Sequence, residues 1–222
     1  VEIRIAIFDR SNRIFVERTR GIGAITHDQA ISWSISGPIA RAAGVRRDLR
    51  KDDPYLMFQE NWDGKGSPAI QFKVPVAKEG DVYARFQVRL EEIKQSCHII
   101  EQAVRMMPEG PVNVLVDAKA TLPDKREIFF SIEGLISHFE KVMTNRGLQP
   151  PMGEAYGAIE APNGELGFYL CSDGGNAAYR ARCRPPSFIN YQIFPHIMCG
   201  HQISDVVAIL GSLNVIAAEL DR

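Results

Sequence analysis

The chain has 222 residues, with 26 lysines and arginines against 27 aspartates and glutamates, and its formal net charge is -1. This balance, with no one-sided basic stripe, gives no electrostatic support for binding nucleic acid. The longest apolar run, residues 206–218, is interrupted by polar residues and is shorter than the roughly 20 residues that span a bilayer. At 45% hydrophobic residues, the composition is that of a globular protein with a real core.

The first 80 residues predict a loop-rich start. The opening "VEIRIAIFDRSNRIFVERT" begins with Val1 and resembles a segment already under way, so we expect a fragment of a longer polypeptide. Further on, "SGPIARAAGVRRDLRKDDPY" places many charges between turn-forming glycines and a proline. This is either a loop organised by ion pairs or one docked on something polar. We interpret the basic clusters 41–51 and 180–184 as solvated faces or ion pairs within an assembly.

Residues 81–107 give the strongest periodic signal. Apolar residues recur in steps of three and four, at Val82, Phe86, Leu90, Ile93, Cys97, Ile100, Val104 and Met107. The opposite face is polar and contains Arg85, Arg89, Glu91, Glu92, Lys94, Gln95, Glu101 and Arg105. Asp81 is a candidate N-cap, and "PEGP" ends the segment. The pattern predicts one long helix within a bundle.

The next segments predict a second helix and then a linker. We expect residues 112–128 to be strand or loop, followed by a helix from Ser131. Its predicted buried face consists of Ile132, Leu135, Ile136, Phe139, Val142 and Met143. The prolines of "RGLQPPMGE" favour an extended linker.

After the linker, the hydrophobic period changes to that of strands. Three runs, 155–160, 166–172 and 178–182, are separated by the turn sequences "PNG" and "DGGN" and predict a three-stranded antiparallel meander. Helical segments are expected at 188–198 and 203–213. The predicted fold class is therefore α+β and mostly α, with a helical part at 1–149 and a meander with terminal helices at 150–222, forming one continuous domain.

No self-contained catalytic or metal site is predicted. Four widely spaced cysteines, Cys97, Cys171, Cys183 and Cys199, lack the CxxC spacing of zinc and iron–sulfur sites, and we expect buried free thiols. Five scattered histidines, His27, His98, His138, His196 and His201, are interpreted as structural or surface residues. Nucleotide-binding and hydrolase motifs are absent from the sequence, and "SDGGN" is interpreted as a hairpin turn.

Six segments in order carry a family resemblance. They are "NRIFVERTRGIG", "SGPIARAAGVRRDLRKDDPY", "GDVYARFQVRLEEIKQSCHIIEQAVRMMPEGP", "GEAYGAIEAPNGELGFYLCSDGG", "YRARCRPPSFIN" and "DVVAILGSLNVIAAELDR". Together they resemble the D-subunit family of NADH:quinone oxidoreductases, respiratory complex I, which is homologous to the large subunit of [NiFe] hydrogenases. The resemblance implies a hydrogenase large-subunit-like fold: a long-helix bundle with a small three-stranded antiparallel sheet. Residues 213–222 lack the cysteine pair that ligates nickel and iron in hydrogenases.

The resemblance also implies a function. The intact enzyme passes electrons from NADH through flavin and iron–sulfur centres to quinone, coupled to proton translocation, and the D subunit forms part of the quinone cavity without a redox centre of its own. The last residues match the family's ending, which implies that Leu220 contacts the quinone or its access path and that Asp221 and Arg222 hold the terminus by ion pairing. In the family, a histidine and a tyrosine that meet the quinone head belong to an upstream half, which this chain does not contain. Local cavity shape is affected by Ala217 and Ala218, where the family has a bulkier residue or glycine, and 59–70 is an expected extra surface loop.

Expected partners are the B-type subunit, which carries the terminal [4Fe-4S] cluster, the C-type subunit and the membrane-embedded H-type subunit. The expected location is a peripheral membrane complex on the cytoplasmic side of a bacterial inner membrane or the mitochondrial matrix side. The alternative hypothesis is a non-catalytic assembly scaffold, or a truncated or split subunit that is inactive alone.

Overall fold

A computed structural model describes residues 12–110, 121–143, 146–147 and 149–221. The α-helices are α1 Arg13–Glu17, α2 His27–Ser32, α3 Pro38–Ala42, α4 Leu49–Asp52, α5 Val82–Met106, α6 Lys125–Phe130, α7 Ile132–Val142, α8 Pro186–Tyr191, α9 Phe194–Met198, α10 Val206–Leu213 and α11 Ala217–Leu220. The strands are β1 Gly153–Ala161, β2 Gly164–Ser172 and β3 Arg180–Arg184, and short 3-10 helices lie at Leu56–Phe58 and Ile203–Asp205. The α+β class, with helices dominating, is confirmed.

The chain packs as two compact units, neither of which is continuous in sequence. The first comprises residues 1–106, 158–167 and 184–222, and the second comprises 107–157 and 168–183. The core of the first unit joins α2, α3, α9, α10 and the start of α5 through buried apolar side chains, including Ile25, Ile39, Val82, Ile193, Ile209 and Leu213. The expected parts 1–149 and 150–222 within one continuous domain remain a prediction.

The long predicted helix is confirmed as α5, and Asp81 caps it. Asp81 Oδ1 accepts a hydrogen bond from the Ala84 N–H at 2.7 Å, and Oδ2 accepts one from the Gly21 N–H at 2.7 Å. The side chain is buried, and its two oxygens join the helix N-terminus to the preceding loop. The helix ends at Met106, just before the "PEGP" sequence.

Replacing Asp81 with alanine is expected to lower the free energy of unfolding by about 1–2 kcal/mol, the usual cost of losing an N-cap. Two N–H groups, the buried one of Ala84 and the partly buried one of Gly21, lose their acceptor in this variant, which places the loss at the upper end of that range. Asp81→Asn keeps one acceptor oxygen and is expected to lose less. Urea unfolding of the three proteins measures the difference, and equal stability of Asp81→Ala and the parent would contradict the capping role.

The predicted division of α5 into an apolar and a polar face fails at both ends. Arg85, expected on the polar face, is fully buried, because other elements surround the first turns of α5 on several sides. Ile100 and Val104, expected in the buried stripe, are 61% and 63% exposed. The C-terminal half of α5 therefore presents apolar side chains that the described residues do not cover.

In the second unit, the predicted helix is confirmed but its predicted burial is not. Ser131 caps α7, its Oγ accepting from the Gly134 N–H at 3.1 Å. The apolar face remains open: Ile132 is 74% exposed and Phe139 52%. The strand or loop expected at 112–128 is wrong at its end, because Asp124 caps α6 by accepting from the Arg126 N–H, and residues 111–120 lie outside the described residues.

The sheet has the order β1-β2-β3, which confirms the meander. Residues 162–163 alone join β1 to β2, as "PNG" predicts, whereas the longer segment 173–179 joins β2 to β3. The basic cluster 180–184 is β3 itself. Strand ends differ from the predicted ends by at most two residues, because the apolar pattern does not fix where backbone pairing begins and ends.

The remaining helix predictions need correction. The helix expected at 188–198 is two helices, because Pro195 lacks an N–H and occupies the first turn of α9. The segment 203–213 starts as a 3-10 helix before α10. The described part of the loop-rich start, residues 12–80, contains four short α-helices, three of which begin at side-chain caps: Asn12, Thr26 and Asp48.

All four cysteines are free, but the expectation that they are buried is wrong. Cys97 and Cys199 are exposed and the other two half-buried, since none of them lies in the apolar core. The predicted surface loop 59–70 is exposed or half-buried over most of its length but ends in the buried Ile70. Among the described residues, no helix is both long enough and apolar enough to cross a lipid bilayer.

Candidate functional site

The C-terminal segment is anchored by Ser187, at the start of α8. The Ser187 N–H donates to the Glu219 carboxylate at 2.9 Å, and its Oγ accepts from the Ile216 N–H at 3.4 Å. Both partners belong to the short helix α11: Ile216 is its N-cap, and Glu219 lies within it. The terminal helix is therefore held by polar contacts to α8 within the first unit.

The three predicted site residues lie at the end of this anchored helix. Leu220 is the last residue of α11 and is half-buried, and Asp221 follows it and is exposed. Arg222 lies outside the described residues. The structure thus brings Leu220 and Asp221 to one surface position, and the ion-pairing role of Asp221 and Arg222 remains a prediction.

A chain of asparagines positions the segment before α11. Asn214 ends α10 with a left-handed backbone, φ 53°, and its Nδ2 donates to Asn163 Oδ1 at 2.6 Å. Asn163, in the β1–β2 turn, accepts from Asn190 Nδ2 through its carbonyl oxygen at 3.1 Å. Asn190 is buried, and its Oδ1 also accepts a hydrogen bond from the Ser36 N–H at 3.2 Å. These contacts connect the terminal segment to the turn and to α8.

A buried ion-pair network, here the Arg41 cluster, lies in the same unit; it comprises Arg41, Asp48, Arg50, Glu92 and Glu160. Arg41 is 2% exposed, and it pairs with Glu92 at 2.7 Å and Glu160 at 2.8 Å. Asp48 lies 3.7 Å from Arg41 and pairs with Arg50 at 2.6 Å. Glu160 also accepts from the Leu49 N–H at 3.2 Å. One guanidinium thus ties α3, α4, α5 and β1 together.

The pKa shifts in this cluster reflect burial opposed by ion pairing. Burial alone lowers the pKa of Arg41, but Glu92 and Glu160 outweigh it and raise the pKa above its ordinary value. Burial raises the pKa of Glu92, and Arg41 only partly counteracts it. Arg50 resembles Arg41: burial lowers its pKa, and the bond to Asp48 more than compensates. The charges of Arg41 and Arg50 are therefore retained in the interior.

The cluster settles which of the two interpretations of "SGPIARAAGVRRDLRKDDPY" applies inside this chain: ion pairs organise the loop. Sequence reasoning interpreted the basic cluster 41–51 as a solvated face or as ion pairs within an assembly, and for Arg41 the structure shows an ion pair inside this chain, to Glu92 on the polar face of α5. The alanines flanking Arg41 were the available signal, because small apolar neighbours indicate a backbone packed against other elements.

Among the described residues of the first unit, several cavities adjoin α5, and two of them share lining residues. The first, about 330 Å³, has a mixed polar and apolar lining, and we call it the polar cavity because its lining includes the charged residues Arg41, Arg50, Lys73, Arg89, Glu92 and Glu160. The second, about 380 Å³, is mainly apolar, with Phe15, Val82, Phe86, Val207 and Ala208 in its wall. Arg89 and Asn214 line both. In the part of the chain that the structure describes, no group of three His, Cys, Asp or Glu residues is placed to hold a metal ion.

Arg85, behind the apolar cavity, is a second buried cation. Its Nη1 donates to the carbonyl oxygens of Gly80 at 2.6 Å and Gly23 at 3.0 Å, and its Nε donates to Ser212 Oγ at 3.0 Å. Nη2 has no partner among the described residues. Burial lowers the pKa of Arg85 to about 10, and the charge of Arg89 adds to the effect.

Comparison with known proteins assigns the chain to a group of relatives. Residues 5–222 match the family model described as "Respiratory-chain NADH dehydrogenase, 49 Kd subunit". The D subunit of NADH-quinone oxidoreductase from Akkermansia muciniphila is 47% identical over 211 residues, covering 95% of this chain and 48% of that protein. The D 1 subunit from Chloroherpeton thalassium is 46% identical over 216 residues, covering 97% and 46%. The C/D subunit from Bdellovibrio bacteriovorus is 44% identical over 211 residues, covering 95% and 36%. The chain spans about half the length of such relatives, or less.

Proposed function

Because the chain belongs to the 49 kDa subunit family of respiratory-chain NADH dehydrogenases, we propose that it acts within the D subunit of an NADH:quinone oxidoreductase. The observation that carries the proposal is the family match, which runs through residues 5–222. Relatives named as D subunits match over 95% or more of this chain. The activity belongs to the whole complex, and this chain supplies one part of it.

We propose that the part supplied is a section of the quinone cavity wall at the C-terminus. Two features support this. First, Ser187 holds α11 in place through its bonds to Ile216 and Glu219, so the last side chains start from a fixed backbone. Second, Leu220 and Asp221 stay accessible at the surface of this unit, where a second polypeptide can complete a cavity. Leu220 then contacts the quinone or its access path, and Asp221 and Arg222 fix the terminus by ion pairing.

A wall of this kind performs no redox step itself. Quinone reduction needs electrons and two protons in a cavity from which water is largely excluded, so the wall must be apolar with a few paired charges. The terminal [4Fe-4S] cluster belongs to the neighbouring B-type subunit in this proposal, and the quinone binds at the shared cavity. Rearrangement of the paired charges on reduction would couple the cavity to proton translocation.

The proposed assembly follows from the same membership. The chain would contact the B-type, C-type and membrane-embedded H-type subunits. It would lie in the peripheral arm, on the cytoplasmic side of a bacterial inner membrane or the equivalent matrix side. The hydrogenase large-subunit-like fold that the resemblance implies is part of the proposal, and the observed helices and small antiparallel sheet are compatible with it.

A scaffold role is the second candidate, and one observation favours it. The C-terminal half of α5 and the apolar face of α7 both expose large apolar side chains, including Val104 and Ile132 at 63% and 74%. Apolar faces of this kind mark protein–protein contacts. In this alternative the chain contributes contact area to the assembly and no part of the quinone cavity.

Replacing Leu220 with phenylalanine is expected to change the inhibitory concentration of quinone-site inhibitors by about tenfold, the equivalent of roughly 1.4 kcal/mol in binding. The larger ring alters the shape of a cavity wall that the inhibitor contacts. NADH:quinone activity of the assembled complex is titrated with inhibitor for the parent and the variant. Ile203→Phe, at a residue that is 90% exposed, is the matched control and should leave inhibition unchanged.

The two candidate functions give different results. Unchanged inhibition in Leu220→Phe, with the complex assembled in normal amount, would refute the cavity role and favour the scaffold. Altered inhibition in Leu220→Phe with normal inhibition in Ile203→Phe would support the cavity role.

A further inference from the structure

Arg89 is a half-buried cation without a carboxylate partner in the part of the chain that the structure describes. It makes one hydrogen bond there, from Nη1 to the Arg85 carbonyl oxygen at 3.5 Å. Glu92, the carboxylate about one turn further along α5, is bonded to Arg41 at 2.7 Å. The guanidinium of Arg89 is thus free to bind a ligand with negatively charged oxygens.

The polar cavity that Arg89 lines has an excess of positive charge. Its charged lining comprises four cations and two carboxylates, and both carboxylates are bonded to Arg41. Lys73, also in the lining, is exposed and makes no ion pair with any described residue. Arg89 and Lys73 therefore form no ion pair with a carboxylate of the described residues.

The burial of Arg89 and its positively charged neighbours also favour the binding of an anion. Burial lowers the pKa of Arg89, and the charge of Arg41 lowers it further, although Glu92 opposes both. The buried Arg85 adds a third cation on the same side of α5, with its own pKa lowered. A bound anion would stabilise the charged form of each of these groups.

The cavity also has the size and the hydrogen-bond donors for a phosphate-sized group. Its volume is about 330 Å³, and the exposed hydroxyl-bearing Ser96 lies in its wall two turns after Arg89 on α5. The apolar cavity of about 380 Å³ shares Arg89 and Asn214 with it. An anion bound at Arg89 would therefore lie beside the apolar cavity.

We propose that Arg89, with Lys73 and Ser96, binds a phosphate-class anion in this cavity. Inorganic phosphate and the phosphate headgroup of an acidic lipid share this chemistry, and the apolar cavity accommodates part of an acyl chain only in the second case. The inference does not depend on the role proposed for Leu220, because the lining of this cavity does not include Leu220 or Asp221.

The test is residue-resolved labelling of arginines by phenylglyoxal in the assembled complex, with mass spectrometry of the peptides. Labelling is compared in phosphate and in chloride at equal ionic strength, because unpaired surface charges respond to salt alone. Phosphate is expected to reduce labelling of Arg89 about tenfold at ten times its Kd. The exposed Arg46, outside the cavity, serves as the control and should label equally in both.

Vesicles distinguish the two sources. Protection of Arg89 by vesicles containing phosphatidic acid at a phosphate content where inorganic phosphate has no effect would identify a lipid headgroup. Protection by inorganic phosphate alone would identify the free anion. Either result supports the site.

Two results would overturn the proposal. One is equal labelling of Arg89 in chloride, in phosphate and with vesicles. The other is an Arg89 that never reacts, which would mean that an acidic side chain from elsewhere in the complex already occupies the cavity. As a second measurement, anion protection of Lys73 from acetic anhydride should disappear in Arg89→Gln and persist in Arg46→Gln.

Discussion

Replacing Arg41 with methionine is expected to lower the free energy of unfolding by about 3–5 kcal/mol, the range for breaking a buried ion pair by removing one partner. Arg41 is 2% exposed and pairs with Glu92 and Glu160, whose side chains are 19% and 6% exposed. Without the guanidinium, both carboxylates lose the positively charged group to which they are hydrogen-bonded. Methionine matches much of the removed volume, so the loss reports the charge and its hydrogen bonds.

Arg47→Met is the matched control, because Arg47 lies in the same charged segment and is also paired. Its contact to Glu165 is 2.9 Å, but its side chain is 58% exposed, so the expected loss is below about 1 kcal/mol. Urea unfolding of both variants gives the comparison. Similar losses in the two proteins would mean that the Arg41 cluster contributes no more than a surface ion pair.

Replacing Gly80 with alanine is expected to lower the free energy of unfolding by about 2–5 kcal/mol, from about 1–2 for a left-handed backbone and about 1–3 for steric overlap. Gly80 has φ +64°, and a Cβ there would collide with the backbone carbonyl oxygen of Ile25. The same glycine is a hydrogen-bond junction: its N–H donates to Ala42, and its carbonyl accepts from Ile25 and Arg85. Any shift of this backbone disturbs three elements at once.

Gly64→Ala separates the two contributions. Gly64 has a similar φ of +70°, but nothing lies within 4 Å of the position its Cβ would take. This variant should lose only the backbone contribution of about 1–2 kcal/mol. A loss in Gly80→Ala no greater than that in Gly64→Ala would contradict the close approach between Gly80 and Ile25.

Arg41 and Gly80 are residues whose structural roles the sequence did not predict. Several secondary-structure elements, in contrast, were predicted correctly. The long helix α5, the helix α7 and the three-stranded meander were predictable because each depends on signals within a few residues. Asp81 and Ser131 supply caps, and the change from helical to alternating period marks the strands. Short-range signals also predicted the tight β1–β2 turn.

Burial was much less predictable. Sequence reasoning placed Arg85 on the polar face of α5 and Ile100 in its apolar stripe, but Arg85 is buried and Ile100 is exposed. A periodic pattern identifies the faces of a helix, but it contains no information on which elements approach those faces. The expected burial of the cysteines was wrong for the same reason, since the absence of metal-site spacing says nothing about which elements cover a thiol.

By itself, the sequence determined the family, the α+β class and the order of the main elements, because these depend on local propensity and on long ordered segments. Only the tertiary structure decided which charges are internal. The Arg41 cluster joins residues from positions 41, 48, 50, 92 and 160, and Ser187 holds Glu219 across 32 residues. Such contacts form between segments distant in the chain, and their geometry follows from the packing of whole elements. No pattern within one segment specifies them.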